Sequence, residues 1–232
     1  MARRTSIFGQ RFAGPPITPA VLWTIVATCA AFVVIEVLRA SDSLFTMDLL
    51  DHLILQPLDL FRFGPQGLMT LVLVHDGPLH LFFAMLVLYS VGPLVERAVG
   101  SRRFLLLYLA SALSGSVLYC LVSWVARDHT PTLGSSGAIF GVIAAFSILF
   151  PEAQVRVWFT SPLRAANVIW LALAVDIILK VVGVHTALSV HVGGTAFAFV
   201  LLRRHLRPIN PRHLWLLCRK WWIQLKLLRG PR

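Results

Sequence analysis

The sequence predicts an all-α polytopic membrane protein, a six-transmembrane-helix bundle with an interfacial first loop and a basic amphipathic C-terminal tail. Three observations carry this. Of 232 residues 57% are hydrophobic and 13% charged, a balance that water-soluble chains do not keep. The ten acidic residues are scattered singly, so no polar half remains to form a soluble domain. Six apolar runs recur along the chain between residues 20 and 202.

A crossing helix needs about 20 mostly apolar residues for a hydrocarbon core about 30 Å thick. The first run, Ala20 to Leu38, carries one charge, Glu36, near its end. The Arg3-Arg4 start imitates a secretory signal, but the run is too long and no A-x-A site follows, so a retained helix is expected. From Ala40 to Leu73 the chain mixes Asp42, Asp48, Asp51, Asp59 and Arg62 with apolar residues and is broken by Pro57 and Pro65, which reads as an interfacial loop. Further helices are expected over Leu79–Val95, Phe104–Val125, Gly137–Phe150, Ala165–Val182 and Leu188–Leu202. Beyond Arg203 the tail alternates Leu and Trp with Arg219, Lys220 and Lys226, as in an amphipathic helix lying on anionic lipid headgroups. Three segments follow: 1–19 as a cytoplasmic N-terminal segment, 20–202 as the membrane domain, and 203–232 as the interfacial tail.

Lys and Arg outnumber Asp and Glu by 21 to 10, which in so apolar a chain reads as membrane topology, with no nucleic-acid partner. With six crossings, 17 of those 21 cations fall on the side of the termini and only Arg39, Arg62, Arg127 and Lys180 on the other. Both termini are therefore expected in the cytoplasm. Cys29, Cys120 and Cys218 lie far apart without CxxC spacing, and no disulfide framework is expected.

The parity has a chemical consequence, because the second, fourth and sixth helices then all start at the same, outer depth. Their starts are polar: His75 and His80, then Gly134-Ser135-Ser136-Gly137, then Ser189 and His191. Polar groups at membrane depth face a bundle interior or a wet cavity. Ser136 enters a helix from a glycine-flanked loop, so its N–H points along the positive end of the helix dipole toward a developing oxyanion. His191 can serve as its base without a third residue, and His75 and His80 can donate to the oxyanion. Phe140, four residues on from Ser136, shares its face and can stack on the imidazole. Each feature alone is ordinary: Gly-Ser-Ser-Gly is commonly a packing or turn element, and an isolated histidine is commonly a bonded core residue. Asp176 and Lys180 read as a self-satisfied i, i+4 pair near the outer interface, without a part in the chemistry.

Taken together, Gly134-Ser135-Ser136-Gly137-Ala138-Ile139-Phe140-Gly141 resembles the active-serine motif of the rhomboid family of intramembrane serine proteases. Three segments agree in order: His75 with His80, Gly92-x-x-x-Glu96-x-x-x-Gly100, and His191-Val192-Gly193-Gly194. The resemblance spans roughly Leu71 to Leu202. It implies a rhomboid-type bundle with a Ser136–His191 dyad in a watery cavity, and single-pass transmembrane proteins as substrates. By the same likeness His80 and the Ser136 N–H supply oxyanion donors, Gly134 of the active-serine loop belongs with His75, His80 and Phe140 to the oxyanion and substrate-binding residues, Phe140 packs on the base, and Glu96 and Arg97 are structural. No metal or organic cofactor is implied, and the simplest family layout points to a bacterial plasma membrane.

Two departures stand out. Where the family usually carries Asn, four residues after the second histidine, this chain has Ala84, so one oxyanion donor is missing. The Trp-Arg pair that usually anchors the first loop is replaced by Gln66-Gly67. These motivate a competing reading, a catalytically inactive rhomboid-like protein that binds or sorts transmembrane helices; retention of Ser136 and His191 argues against it. Metal or haem ligation is a third reading. His75 and His80 would lie about 140° apart on one helix, and no HExxH accompanies them.

Overall fold

The computed structural model describes residues 16–41, 44–57, 64–155, 162–183 and 186–203. Its helices are α1 (Pro19–Ala40), α2 (Leu44–Leu53), a short α3 (Gly67–Thr70) running into a 3₁₀ turn at Leu71–Leu73, α4 (Pro78–Val99), α5 (Ser101–Ala126), α6 (Ser136–Leu149), α7 (Ala165–Val181) and α8 (Leu188–Leu201). A two-residue antiparallel ribbon, β1 (Gln154–Val155) with β2 (Leu163–Arg164), precedes α7. Each apolar run of the sequence is a helix. The largest boundary differences are at the junction of α4 and α5, where the helices continue to Val99 and from Ser101 past the apolar residues, because only Gly100, at φ 86°, interrupts the backbone. The basic tail, apart from Arg203, lies outside the described residues, as do residues 1–15 and Cys218. Cys29 and Cys120 are both free.

Among the described residues three helices, α1, α4 and α5, are long and apolar enough to cross a membrane. By contrast α6 and α8 have 14 residues each, about 21 Å at 1.5 Å per residue, short of the hydrocarbon thickness. An apolar helix without a polar face must be buried on all sides. That is the state of α6, which packs against α4, α5, α7 and α8 and buries every residue from Gly141 to Ile148.

Glycine lets these helices close on one another. A Cβ on Gly194 of α8 would collide with the Gly137 carbonyl of α6, and one on Gly141 would meet the Ser111 side chain of α5. A Cβ on Gly115 of α5 would lie 2.5 Å from the Val190 carbonyl oxygen, and one on Gly193 2.7 Å from that of Ser114. α6 and α8 therefore meet backbone to backbone at Gly137 and Gly194, and α5 is the third partner.

The expected loop over residues 40–73 is a correction: it contains α2 and α3. In α2 the mixed composition is an amphipathic face, with Asp48 and Asp51 exposed and Leu50 and Leu53 half-buried. The segment is well tied down without the Trp-Arg pair. Leu55 and Thr132 exchange two backbone hydrogen bonds of 3.0 Å, and the Thr70 hydroxyl donates to the Leu53 carbonyl (2.8 Å). Ser116 and Trp124 of α5 donate to the Leu68 and Pro57 carbonyls, each at 2.9 Å. Gly67, one of the two replacements, is needed there, since a Cβ would stand 2.5 Å from the Ile54 carbonyl oxygen.

At the far end of α4, buried Glu96 accepts from the Thr18 hydroxyl (2.5 Å), the Ala20 and Val21 N–H groups (3.0 and 2.9 Å) and the Ser101 hydroxyl (2.6 Å). A carboxylate thus caps the first turn of α1, where donors are unpaired and the helix dipole is positive. Arg97 donates to the Pro16 carbonyl. The structural role expected for both residues is this clamp between α1, α4 and α5.

Two outcomes follow for thermal unfolding of the detergent-solubilised protein. Glu96→Ala strands four donors and should destabilise by about 2–4 kcal/mol, more than Glu96→Gln, which keeps one acceptor oxygen. Gly194→Ala forces α6 and α8 apart and should cost about 1–3 kcal/mol. Unchanged midpoints would contradict the packing described.

Candidate active site

The loop that carries the serine is built first. Leu71 accepts from the Gly134 N–H (2.9 Å), and Gly134 turns the chain at φ 109°, a region open mainly to glycine. It must also be glycine for space, because a Cβ would lie 2.7 Å from the His80 ring. Ser135 is fully buried and its carbonyl accepts from the Ile139 N–H (2.9 Å), which opens the α6 hydrogen-bond ladder. Ser136 is therefore the first residue of α6, with its N–H among the unpaired donors of the helix start.

Ser136 lines a cavity of about 600 Å³ together with His80, Ala84, Phe140 and His191. Asp76, Asp128 and Lys180 also line it. The Thr130 hydroxyl and backbone N–H both donate to Asp128 and hold its carboxyl below the usual carboxylate range. His80, in the first turn of α4, and Ser136, at the first of α6, thus present polar groups to one space, as the parity of the helices predicts.

His75 is a correction. It precedes α4, lines no part of the cavity, and is fully buried behind it. Its Nε2 shares a 3.1 Å hydrogen bond with Ser135 Oγ, and its ring meets that of His80 edge-on at 5.2 Å. The 140° separation assumed both histidines on one helix, whereas the turn at Gly77 brings the rings together. Burial, with His80 adding to it, pushes the His75 imidazole down to about 4, so a neutral ring supports the serine loop from below.

His191, in the first turn of α8, lies flat on Phe140: the ring centroids are 4.1 Å apart and the planes 1° from parallel. Because Phe140 is one helical turn beyond Ser136, this stack draws the imidazole over the α6 face that carries the hydroxyl. No hydrogen bond joins Ser136 to His191 among the described residues; they share the cavity wall.

The other ring nitrogen of His191 brings in a residue that the sequence reading set aside. Nδ1 lies 2.7 Å from Asp176 Oδ2, and both side chains are largely buried. A carboxylate only accepts, so Nδ1 carries a proton, and in the neutral ring Nε2 is the acceptor. Asp176 is not paired with Lys180, whose Nζ instead approaches the Thr186 carbonyl at 3.5 Å. The missed signal was position: Asp176 lies five residues before the end of α7 and His191 three after the start of α8, which sets them at similar depth across one connection. Among the described residues no group of three or more His, Cys, Asp or Glu is placed to hold a metal ion.

Comparison with known proteins agrees with this architecture. The Rhomboid domain family matches residues 62–207, more than half the chain. Rhomboid protease GluP of Bacillus subtilis (strain 168) is 47% identical over 78 residues, covering 34% of this chain and 14% of that protein. RHOMBOID-like protein 4 of Arabidopsis thaliana is 32% identical over 147 residues, 60% of this chain and 35% of the relative. Presenilin-associated rhomboid-like protein A, mitochondrial, of Danio rerio is 32% identical over 133 residues, 53% and 33% respectively. The chain thus spans well under half of these relatives. A serine loop, a stacked histidine and a glycine-packed helix pair, inside a matched domain of this extent, make the chain a member of the rhomboid family of integral membrane proteins.

Proposed function

We propose that the protein is an intramembrane serine protease that hydrolyses peptide bonds of single-pass transmembrane proteins. The observation that carries the reading is the shared cavity, with Ser136 at the head of α6 and His191 clamped on Phe140 beside it. Ser136 Oγ attacks the scissile carbonyl while its proton passes to His191 Nε2. The resulting oxyanion is held by the Ser136 N–H, strengthened by the α6 dipole, and by His80. Collapse of the intermediate expels the amine, which takes the proton from Nε2, and leaves an acyl group on Ser136. Water, deprotonated by the same nitrogen, then attacks the acyl carbon, and collapse releases the acid and expels Ser136 Oγ, which takes the proton back from Nε2. Nucleophile and base commonly tighten their hydrogen bond only in the substrate complex.

The setting proposed with this activity is a six-span bundle, both termini cytoplasmic, in a bacterial plasma membrane, with the basic tail on anionic lipid headgroups. The charge asymmetry supports that orientation. A second reading, an inactive member that binds or sorts transmembrane helices, is favoured by one feature. Ala84, one turn after His80, puts a methyl group on the cavity wall where a donor would complete the oxyanion hole.

A fluorophosphonate probe and co-expressed tagged single-span substrates separate the two. The protease reading expects labelling and cleavage that vanish in Ser136→Ala, with cleavage lost in His191→Ala; a parent that neither labels nor cleaves is a binder. Loss of a single oxyanion donor costs about 10²–10³ in kcat, so Ala84→Asn should raise kcat, by about tenfold or more, with KM little changed. An unaltered rate would show that the cavity has no place for that donor.

A further inference from the structure

We infer that Asp176 is a positioning residue for His191, making the base the middle member of a serine–histidine–carboxylate chain. The inference rests on the hydrolytic reading above. It starts from the 2.7 Å contact between Asp176 Oδ2 and His191 Nδ1. Two constraints act on the imidazole in different directions. The parallel Phe140 ring at 4.1 Å fixes the plane of the imidazole, and the carboxylate fixes its rotation within that plane and its tautomer. With Nδ1–H committed to Asp176, Nε2 is the free acceptor of the neutral ring.

The burial of Asp176 points the same way. The buried residues of α7 are Ala165, Ile169 and Asp176. The two apolar ones lie in its first five residues, beside β2, so in the later part of the helix the buried side chain is the charged one. A carboxylate within an apolar helix is costly unless its partner returns the energy. Here the partner is the proposed base, and the carboxylate gains most when that base accepts the serine proton and becomes a cation. The attraction peaks at the step where positive charge forms, so it lowers the barrier more than it tightens substrate binding. Lys180, one turn further on, approaches the Thr186 carbonyl at 3.5 Å, whereas His191 Nδ1 is 2.7 Å from the Asp176 carboxylate.

The test compares steady-state cleavage of a single-span substrate by the parent, Asp176→Asn, Asp176→Ala and Asp176→Glu, with ¹⁵N-imidazole NMR and thermal midpoints on the same detergent-solubilised proteins. In a soluble triad the equivalent amide substitution lowers kcat by about 10⁴; here Asp176→Asn and Asp176→Ala should lose at least about tenfold in kcat with KM within about twofold. Asp176→Glu should recover part of the rate. The parent should show a strongly hydrogen-bonded Nδ1 proton on His191 that both neutral variants lose. A parent that cleaves, alongside an Asp176→Asn enzyme within twofold of it, overturns the positioning role alone. So does Asp176→Glu that folds like the parent but is no faster than Asp176→Ala. A parent that neither cleaves nor labels overturns the hydrolytic reading, and this inference with it.

Discussion

The Gly137 carbonyl oxygen occupies the place where a side chain on Gly194 would begin. Two apolar helices of 14 residues each can approach this closely only where neither carries a Cβ, and the rest of the candidate site depends on that approach. It sets His191, three residues before Gly194, beside Phe140 and into the cavity that Ser136 lines. Between lipid-like surfaces there is little hydrophobic gain in packing one helix on another, so close van der Waals contact and interhelical hydrogen bonds must hold the pair. The same contact therefore stabilises the bundle and assembles the chemistry.

Three polar contacts in this core join one element to another through specific partners. Glu96 gathers donors from three places and caps α1 with them. Ser135 bonds to His75 below the serine loop. Asp176 bonds to His191 across α7 and α8. In a medium of low dielectric constant an orphaned partner is costly, so these pairs specify which helix lies beside which. Ser136 and His80, which face the cavity, take no part in these three contacts.

Much of this was legible in the amino-acid order. Apolar runs located the helices because a helix satisfies its own backbone in such surroundings, and the polar starts of α4, α6 and α8 were the signal for the residues that share one cavity, His80, Ser136 and His191. Phe140 was readable from its i+4 relation to Ser136. What was hidden depended on contacts between elements. Residues 44–53 looked like loop because their charges obscure a face that packs only in the folded bundle. His75 looked like a cavity donor because the turn at Gly77, which tucks it behind His80, has no periodic signal. Asp176 looked paired with Lys180 because i, i+4 is the nearest available ion pair, and only the connection between α7 and α8 reveals His191 as the stronger claimant.

In the proposed reaction the Ser136 hydroxyl and the His191 imidazole act on one bound carbonyl within the cavity that both line. The most direct measurement is an experimental structure of the protein after reaction with a fluorophosphonate. Phosphorus should be bonded to Ser136 Oγ, its oxygen turned toward His80 and the Ser136 N–H, and His191 Nε2 should lie within about 3 Å of an adduct oxygen. An unmodified Ser136, or an adduct with His191 swung out of reach, would contradict it.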